Sequence, residues 1–572
     1  MATNDEKQEI SSHSGEQEHQ QNHQQDHSST HHSSKLKDDD IIDFSRVKHA
    51  ITHFFKNLTK KESGRESENS FQEENSPAYF SLTTTVMSVK KHSRWLIPLL
   101  CILIAMSLSI YLRTMPQRLP VTEQWAQQPV YNFYRDQIVA AVDKQNPHLP
   151  PNIKDSMVEK EWVKVKTENA KLLQDQITDL SKQYQDMFRD DTGTLYLLGI
   201  DPYYYYRQSY YVLKNGFPGS EMNDGVLWDS YRLAPIGREA EWNFHNWFGA
   251  VWHRIMNLFG DFSLLYTFFF VGTVFSALTV IPGFFIGKRL TQNNVGGFFV
   301  AILLASSAFF VSRTTGESSD TDVYAVFFPV LITWLFIEAL EAKTMNKKMV
   351  WMALAAFSTG VFSFAWTGWW YIAVFIIATQ LVHLLYLLFN HRKTIAVSFR
   401  QGILSSPLYL VGLYIGLSVI SISLFTTRRQ SLRLLLGPLQ FLKLKAVAVK
   451  TAWPNIRTTV AELNVVPLDN VIAQLGGKFL FFLAILGILF LLLRKNKEGK
   501  RDIHYSFFLA VWLIASLYAT SKGVRFILQA TPVFSIALGV CLGMVWDYGS
   551  QWTSRHLKVP KLIAAVVFFV AL

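Results

Sequence analysis

Long apolar runs alternate with short polar turns along most of the chain after residue 94. A helix needs about 20 mostly apolar residues to cross a lipid bilayer. The runs are continuously apolar, which predicts membrane-spanning helices rather than the alternating strands of a β-barrel. Hydropathy predicts about eleven spans, at residues 95–112, 261–287, 295–311, 323–342, 350–365, 370–389, 404–425, 478–493, 505–519, 525–545 and from 563 onward.

Basic residues beside these runs predict how the chain crosses the membrane. The basic stretch 90–94 precedes the first run, and Lys288 and Arg289 follow the second. Cytoplasmic loops are rich in Lys and Arg, so the first span is expected to leave the cytoplasm and the second to return. The pattern predicts a multi-pass protein of the cell membrane with a cytoplasmic tail (1–94), a multi-span domain (95–572) and two long external loops (113–260 and 426–477).

Composition supports the membrane assignment. Of 572 residues, 49% are hydrophobic and 17% charged, whereas soluble globular chains carry about 25% charged residues. This excludes an ordinary cytosolic enzyme, a disordered chain and a collagen-like fibre. Two cysteines exclude a disulfide scaffold and a cysteine-based zinc cluster. The net charge of +11 lies mainly beside apolar runs, which predicts membrane lipids, and not nucleic acid, as partners.

The N-terminal tail is rich in Gln, Ser and His and is predicted to be disordered. His19, His23 and His27 recur every fourth residue and on a helix would form a metal-binding face, although a solvated tail is the favoured interpretation. Later in the tail, helical spacing indicates a helix on the inner membrane surface or on a partner. Its apolar residues are Phe44, Val47, Ile51, Phe54 and Leu58.

Carboxylates near membrane segments are costly and therefore candidates for function. Asp201 precedes Pro202 and a run of four tyrosines, where it could bind a metal or a sugar-phosphate head, or cap a helix. Asp320 and Asp322 follow an outgoing span and could converge on one Mg²⁺ or Mn²⁺, although helix capping would also explain them. Arg313 could pair with a carboxylate or a phosphate.

Two further charged segments lie on the predicted external side. Glu462 ends a Thr-Val-Ala-Glu sequence that begins at Thr459, in a loop rich in Lys and Arg. A basic external loop opposes the usual bias, and either an anionic lipid or phosphate ligand or an interfacial amphipathic segment would explain it. Arg525 begins a late span, where it could reach a lipid phosphate or snorkel to the head groups. The chain has no phosphate-binding loop and no zinc-protease motif.

Taken in order, these motifs resemble the catalytic subunit of oligosaccharyltransferase, of the archaeal AglB and bacterial PglB type. The matching segments are Asp201-Pro-Tyr-Tyr-Tyr-Tyr-Arg207, Leu233–Arg238, Ser319-Asp-Thr-Asp322 with Arg313 before it, Thr459-Val-Ala-Glu462 and Gly523-Val-Arg525. The resemblance covers roughly residues 95–572. It implies an all-α polytopic membrane protein, with a GT-C type glycosyltransferase bundle and large external loops.

The resemblance also implies a function and assigns roles. The family transfers an oligosaccharide, with inversion, from a polyprenyl (di)phosphate lipid to Asn in Asn-x-Ser/Thr sequons, and a single-subunit enzyme of archaeal type is expected. By this resemblance Asp201 and Glu462 orient the acceptor amide, while Asp201, Asp320 and Asp322 hold Mn²⁺ or Mg²⁺. Arg313 would steady the carboxylates, and Thr459 and Arg525 would bind substrate. The expected partners are the lipid-linked oligosaccharide donor and the acceptor polypeptide.

Some features depart from the family pattern. Residues 150–190 resemble an insertion, and apolar positions at helical spacing from Ala170 to Met187 predict a helical arm there. Trp546–Gly549 is similar to the family's Trp-Trp-Asp-Tyr-Gly motif. We interpret it as a decoy, which means a similar sequence without the motif's role, because it lies at the cytoplasmic end of a predicted span. Because the final apolar run is short, the chain is expected to be part of a longer protein whose C-terminal external domain carries that motif.

Two other classes of function stay open at this point. A protein O-mannosyltransferase, or another lipid-phosphosugar transferase of GT-C architecture, would modify Ser, Thr or a lipid. A lipid carrier or flippase would move the glycolipid without forming a glycopeptide. Neither class explains all four motifs in their order.

Overall fold

The computed structural model describes residues 82–403, 405–442, 461–494 and 503–572. Several predicted features lie outside these residues: the histidines of the tail, the tail helix, Thr459 and the basic residues between 443 and 457. Helices make up nearly all of the secondary structure in the described part of the chain.

The first part of the chain runs from one long apolar helix into a mostly polar helical region. Helix α1 contains the first predicted span, and the following helices lie in the predicted first loop. They are α1 (Leu82–Thr114), α2 (Val121–Gln145), α3 (Pro151–Glu168), α4 (Ala170–Met187), α5 (Ile200–Asn215) and α6 (Phe244–Met256).

The rest of the chain forms an apolar helical bundle. Its first half comprises α7 (Leu264–Phe269), α8 (Val271–Thr291), α9 (Asn294–Ser306), α10 (Ala308–Ser312), α11 (Tyr324–Glu341), α12 (Met345–Ala365), α13 (Trp370–Asn390) and α14 (Ile395–Arg400). Its second half comprises α15 (Ser405–Phe425), α16 (Arg428–Ser431), α17 (Arg433–Leu442), α18 (Leu468–Gln474), α19 (Lys478–Leu493), α20 (Ile503–Thr520), α21 (Ile527–His556) and α22 (Lys561–Ala571).

Eight helices in the described residues are long and apolar enough to cross a membrane, or nine if the bent pair α18–α19 counts as one span. The prediction is about eleven spans, give or take two, and the upper count of nine falls within it. The two extra segments form α9, with 13 residues, and α22, with 11. At about 1.5 Å per residue α9 alone is shorter than about 30 Å of hydrocarbon, and α10 continues the chain after Ser307. The predicted all-α, multi-span character of the chain is confirmed.

The predicted helical arm is present. In α4, Leu173 and Ile177 are buried against Ala126 and Val130 of α2. The apolar residues whose spacing predicts the arm therefore form the face of α4 that packs on α2.

A small antiparallel sheet in the first loop was not predicted. It consists of β1 (Glu221–Asn223), β2 (Val226–Asp229) and β3 (Arg238–Glu239), in that order. Asp224 and Gly225 join the first two strands with φ of 50° and 81°, as a two-residue hairpin turn of type I′ requires. This Asp-Gly pair is a sequence signal for the hairpin.

A buried carboxylate fastens this sheet to α5. The Asp229 side chain is fully buried and accepts hydrogen bonds from Arg207 Nη2 at 2.6 Å and Gln208 Nε2 at 2.7 Å. Both donors lie on α5, the helix that begins beside Asp201. The sheet and the start of α5 are thus held as one unit.

Helix α21 is the buried axis of the bundle, and most of its residues from Ile527 to Met544 are inaccessible to solvent. It crosses α9 at two of its own glycines, Gly539 and Gly543, where no side chain separates the backbones. A Cβ atom added at Gly543 would lie 2.4 Å from the Cα atom of Gly296, and one at Gly539 would lie 2.6 Å from the Val300 nitrogen. The glycines allow the two backbones to touch.

Trp546 and Gly549 also have packing roles. The Trp546 indole donates to the Ala565 carbonyl at 2.8 Å, and a Cβ atom at Gly549 would meet the Phe568 ring. This part of α21 therefore packs on α22. It lies about 30 Å along the helix from the end near Arg525, which agrees with its interpretation as a decoy.

Replacing Gly543 with valine should destabilise the bundle. The side chain would push α9 away from α21, and overpacking of this kind costs about 1–3 kcal/mol. The measurement is the melting temperature of the detergent-solubilised protein. Gly412→Val is the matched control, because no atom lies within 4 Å of a Cβ atom there. Equal melting temperatures for both variants would contradict the packing at Gly543.

Candidate functional site

Two carboxylates and two guanidinium groups from four separate segments meet at one end of the bundle. Arg313 follows α10, Asp322 lies in a 3₁₀ turn before α11, Glu462 lies in the 3₁₀ turn Ala461–Leu463, and Arg525 lies in the turn that leads into α21. We call these four residues the ion-pair cluster. All four were predicted from the sequence as site residues.

Each arginine of the cluster lies beside both carboxylates. Arg313 Nε is 3.1 Å from Asp322 Oδ2, and Arg313 Nη2 donates to Glu462 Oε1. Arg525 Nη2 is 3.8 Å from Asp322 Oδ1, and its Nη1 is 3.6 Å from Glu462 Oε2. Positive and negative groups alternate, so the cluster carries no net charge of its own.

Burial makes these pairs depend on one another. The Asp322 side chain is 11% exposed and that of Arg313 is 29% exposed. Burial alone would lower the pKa of Arg313, but the charges of Asp322 and Glu462 raise it above its ordinary value. Breaking a buried ion pair leaves an uncompensated charge, which is strongly destabilising. The cluster should therefore be well ordered.

A glycine lets the Glu462 and Arg525 segments approach closely. A Cβ atom at Gly523 would lie 3.0 Å from both the Glu462 carbonyl oxygen and the Leu463 Cα atom. The Val524 amide donates to the Asn464 carbonyl at 3.0 Å. The Gly-Val-Arg sequence thus docks the start of α21 directly against the Glu462 turn.

Asp320 lies beside the cluster without joining its ion pairs. Its side chain accepts a hydrogen bond from the Thr321 amide, so it caps the 3₁₀ turn that holds Asp322. Burial first, and then the charges of Asp322 and Asp201, raise the pKa of Asp320 to about 7. The capping interpretation is therefore correct for Asp320, but it leaves a crowded carboxylate next to Asp322.

Asp201 occupies the first turn of α5 and is exposed. The alternative that it caps a helix beginning at Pro202 is wrong, because α5 begins at Ile200 with Gly199 at the capping position. Asp201 forms no ion pair with the cluster, but its charge acts on Asp320. The structure therefore brings Asp201 to the edge of the site with its side chain open to a ligand.

The carboxylate oxygens of Asp201, Asp320 and Asp322 are ligands of the kind that hard metal ions prefer, but the three side chains do not converge on one point. Among the described residues, no group of three or more His, Cys, Asp or Glu side chains is arranged to hold a metal ion. Asp201, Asp320 and Asp322 offer only oxygen donors, which Mg²⁺ and Mn²⁺ prefer. The negative charges of Asp322 and Asp201 repel the Asp320 carboxylate, and a bound cation would reduce this repulsion.

A buried polar contact behind the site was missed by the sequence analysis. His245 is fully buried on α6, and its Nδ1 lies 2.8 Å from the Tyr324 hydroxyl at the start of α11. Burial lowers the pKa of His245 to about 3. The Tyr205 ring lies edge-on to the His245 ring, with centroids 4.9 Å apart. None of the sequence motifs pointed to this contact.

An apolar cavity opens beside Arg525. Its volume is about 630 Å³, and its lining comes mainly from α13, α17 and α20. Arg525 lies in its wall together with Trp370, Phe375, Ala515 and Phe526. One guanidinium group thus faces both the ion-pair cluster and an apolar groove.

Comparisons with known proteins identify relatives of the chain. Residues 171–570 match the family model described as oligosaccharyl transferase STT3, N-terminal. The dolichyl-phosphooligosaccharide-protein glycotransferase of Methanococcus voltae is 32% identical over 64% of this chain and 43% of its own length. The protein of the same name from Methanocaldococcus jannaschii is 27% identical over 71% of this chain and 52% of its own.

A solved structure is also similar. The oligosaccharyltransferase of Archaeoglobus fulgidus in its apo form has 17% sequence identity and a TM-score of 0.47, with 68% of this chain and 52% of that chain covered. The chain spans about half the length of the curated relatives that it matches.

The family match confirms the resemblance on which the site prediction depends. The helical bundle confirms the all-α part of the predicted fold class. The match covers 171–570, so it is narrower than the expected 95–572 and begins within α4. The chain belongs to the oligosaccharyl transferase STT3 family.

Proposed function

We propose that this chain forms the membrane-embedded catalytic part of an enzyme that transfers an oligosaccharide from a polyprenyl (di)phosphate lipid to Asn in Asn-x-Ser/Thr sequons. The observation that carries the proposal is the convergence of Arg313, Asp322, Glu462 and Arg525 from four segments. The names of the two archaeal relatives describe transfer from a dolichyl-phosphooligosaccharide to protein. We propose that the site faces the extracytoplasmic side and that a single subunit carries it.

The donor lipid is proposed to bind at Arg525. Its guanidinium group is 35% exposed and borders the apolar cavity. A lipid phosphate could pair with Arg525 while the polyprenyl chain lies against the apolar wall. Charge-assisted hydrogen bonds to phosphate are stronger than neutral ones. This arrangement places the phosphate next to the carboxylates of the cluster. Thr459 is proposed as a further residue that binds substrate.

The acceptor amide is proposed to bind between Asp201 and Glu462. An amide nitrogen is a poor nucleophile because its lone pair is delocalised. A carboxylate oxygen has two acceptor positions, so Glu462 can accept an amide N–H while Arg313 and Arg525 hold it in place. Asp201 is exposed and can accept the second N–H. The nitrogen would attack the anomeric carbon as the bond between that carbon and the phosphate oxygen breaks, with inversion. The phosphate would leave with the bonding electrons, and one amide proton would pass to Asp201 or Glu462, which accept the two N–H groups.

Mn²⁺ or Mg²⁺ is proposed as the cofactor, held by Asp201, Asp320 and Asp322. When bound, such an ion supplies positive charge that stabilises the leaving phosphate. Arg313 pairs with Asp322 and fixes its orientation. The Asp320 capping bond holds the same turn in shape.

Asp320→Asn should abolish transfer while leaving the protein inserted and folded. The substitution keeps the capping oxygen but removes the negative charge proposed to bind the metal. Transfer of a labelled glycan to an Asn-x-Thr peptide is the measurement. Asp547→Asn, at the far end of α21, is the control and should keep wild-type activity. Full activity of Asp320→Asn would contradict the metal assignment.

Arg525→Gln should weaken the binding of dolichyl phosphate. Hydrogen bonds to charged groups contribute about 1.5–3 kcal/mol, which corresponds to a loss of roughly ten- to a hundredfold in affinity. The dissociation constant is measured with the protein in nanodiscs. Lys522→Gln provides the comparison, because Lys522 lies three residues away and packs on Tyr518. An equal effect of both substitutions would point to a general loss of positive charge.

Glu462→Gln should lower turnover more than metal affinity. The carboxamide keeps the size of the side chain but loses the charge that orients the acceptor amide. We expect kcat to fall by at least about tenfold, the equivalent of 1.4 kcal/mol, while the Mn²⁺ dissociation constant stays close to that of the wild type. A parallel loss of Mn²⁺ binding would instead make Glu462 a metal ligand.

A further inference from the structure

A second cavity, with polar walls, lies beside the apolar one. Its volume is about 350 Å³, within the range of about 300–1,000 Å³ typical of small-molecule sites. One wall comes from β3 and the residues that follow it, and the other from the end of α12 and the start of α16. Its lining includes Arg232, Arg238, Glu241, Trp242 and Gln430.

The two cavities share a wall. Trp366 and Thr367 line both of them, and Arg525 lines the apolar one. Arg433 Nη1 donates to the Thr367 carbonyl at 3.3 Å, which holds this shared wall. A molecule that lies in the apolar cavity with its phosphate at Arg525 would therefore have a polar space beyond the shared wall.

The polar cavity presents an aromatic surface that is held in place. Trp242 is 56% exposed, yet its ring packs against Trp247 at 5.0 Å and Phe364 at 6.3 Å between centroids. Neighbours on one side fix the indole, and the rest of it is accessible. A rigid aromatic face of this kind binds flat apolar surfaces with little loss of side-chain entropy.

The same cavity offers donors and acceptors for hydroxyl groups. Arg232 is bonded to Glu241 Oε1 through both terminal nitrogens at 3.1 Å. Gln430 Oε1 is buried and has no hydrogen-bond partner among the described residues. An unpaired buried acceptor is costly, and a ligand hydroxyl would satisfy it.

We propose that this polar cavity binds sugar residues of the glycolipid donor. The inference rests on the proposed function and names the part of the donor that lies beyond the phosphate. The apolar cavity, with Arg525 in its wall, adjoins the polar cavity at Trp366 and Thr367, and this suits a donor made of a hydrocarbon chain, a phosphate and a polyhydroxyl group. The C–H face of a sugar ring can stack on Trp242 while its hydroxyls bond to Gln430 and the charged side chains.

The polar cavity is tied to the helix that carries Asp201. The Tyr204 hydroxyl on α5 accepts a hydrogen bond from Arg232 Nη1 at 3.3 Å, and the guanidinium carbon of Arg232 lies 4.8 Å from the Tyr204 ring centroid. Sugar contacts at this wall would therefore be made on the same rigid unit that presents Asp201. Such contacts would select the glycan and hold its lipid-linked end towards the ion-pair cluster.

The test compares the binding of two lipids to the full 572-residue chain in nanodiscs. One is dolichyl phosphate, and the other is dolichyl phosphate that carries a single glucose. Wild-type protein should bind the glucosylated lipid more tightly. Trp242→Ala should weaken binding of that lipid about tenfold and leave binding of dolichyl phosphate within twofold of wild type. Gln430→Leu, which keeps the side-chain size, should reduce the same preference.

Trp552→Ala is the matched control, because Trp552 is 57% exposed and lies near the far end of α21. It should leave binding of both lipids unchanged. The inference is overturned if Trp242→Ala keeps the preference for the glucosylated lipid, or if wild type shows no preference while binding both lipids. In either case the proposed function stands. If wild type binds neither lipid, the proposed function fails and the inference with it. Weaker binding of an Asn-x-Thr peptide alone, with lipid binding unchanged, would make the cavity a peptide site and overturn the sugar assignment.

Discussion

The site depends on Arg313, which lies between two carboxylates that would otherwise repel each other. Its guanidinium group contacts Asp322 and Glu462, and the contact to Glu462 joins residues 149 positions apart in the chain. Two anions at this depth are stable only with a cation between them. Arg313 supplies that charge permanently, because a guanidinium group does not lose its proton in proteins. Asp322 and Glu462, which are proposed to bind metal and acceptor, therefore take their positions from this one side chain.

Close contacts between helix backbones hold the segments that carry the ion-pair cluster in fixed positions. Gly296 and Gly543 fix α21 against α9, and Gly523 fixes the start of α21 against the Glu462 turn. Arg525 is thereby held on the end of the most buried helix. The polar first loop is joined to the site in a different way, through Asp229 and the start of α5. The first loop thus presents Asp201 at the end of the bundle that carries the ion-pair cluster.

The sequence predicts the parts of this structure that depend on local pattern. Continuous apolar runs predict where the helices lie, and charged residues at their ends predict where a site can form. The predicted span at 295–311 forms two short helices, α9 and α10, because the helix breaks at Ser307, and hydropathy alone does not predict that break. The small sheet was missed because its strands are short, although Asp224-Gly225 signals its turn. The contact of His245 with Tyr324 depends on tertiary packing alone. The sequence predicts both Asp201 and Asp322 as site residues. It does not predict that, of these two aspartates, Asp322 is the one that pairs with arginine, because that pairing depends on the tertiary structure.

The central claim is that this cluster serves glycan transfer to asparagine. The most direct measurement places this protein in membranes from a host without an oligosaccharyltransferase and supplies a dolichyl-linked oligosaccharide and two peptides. One peptide carries an Asn-x-Thr sequon, and the other has Gln in place of that Asn. The account predicts by mass spectrometry that the Asn peptide alone gains the glycan, on its amide nitrogen. Glycosylation of a Thr hydroxyl in both peptides, or of neither peptide, would contradict it.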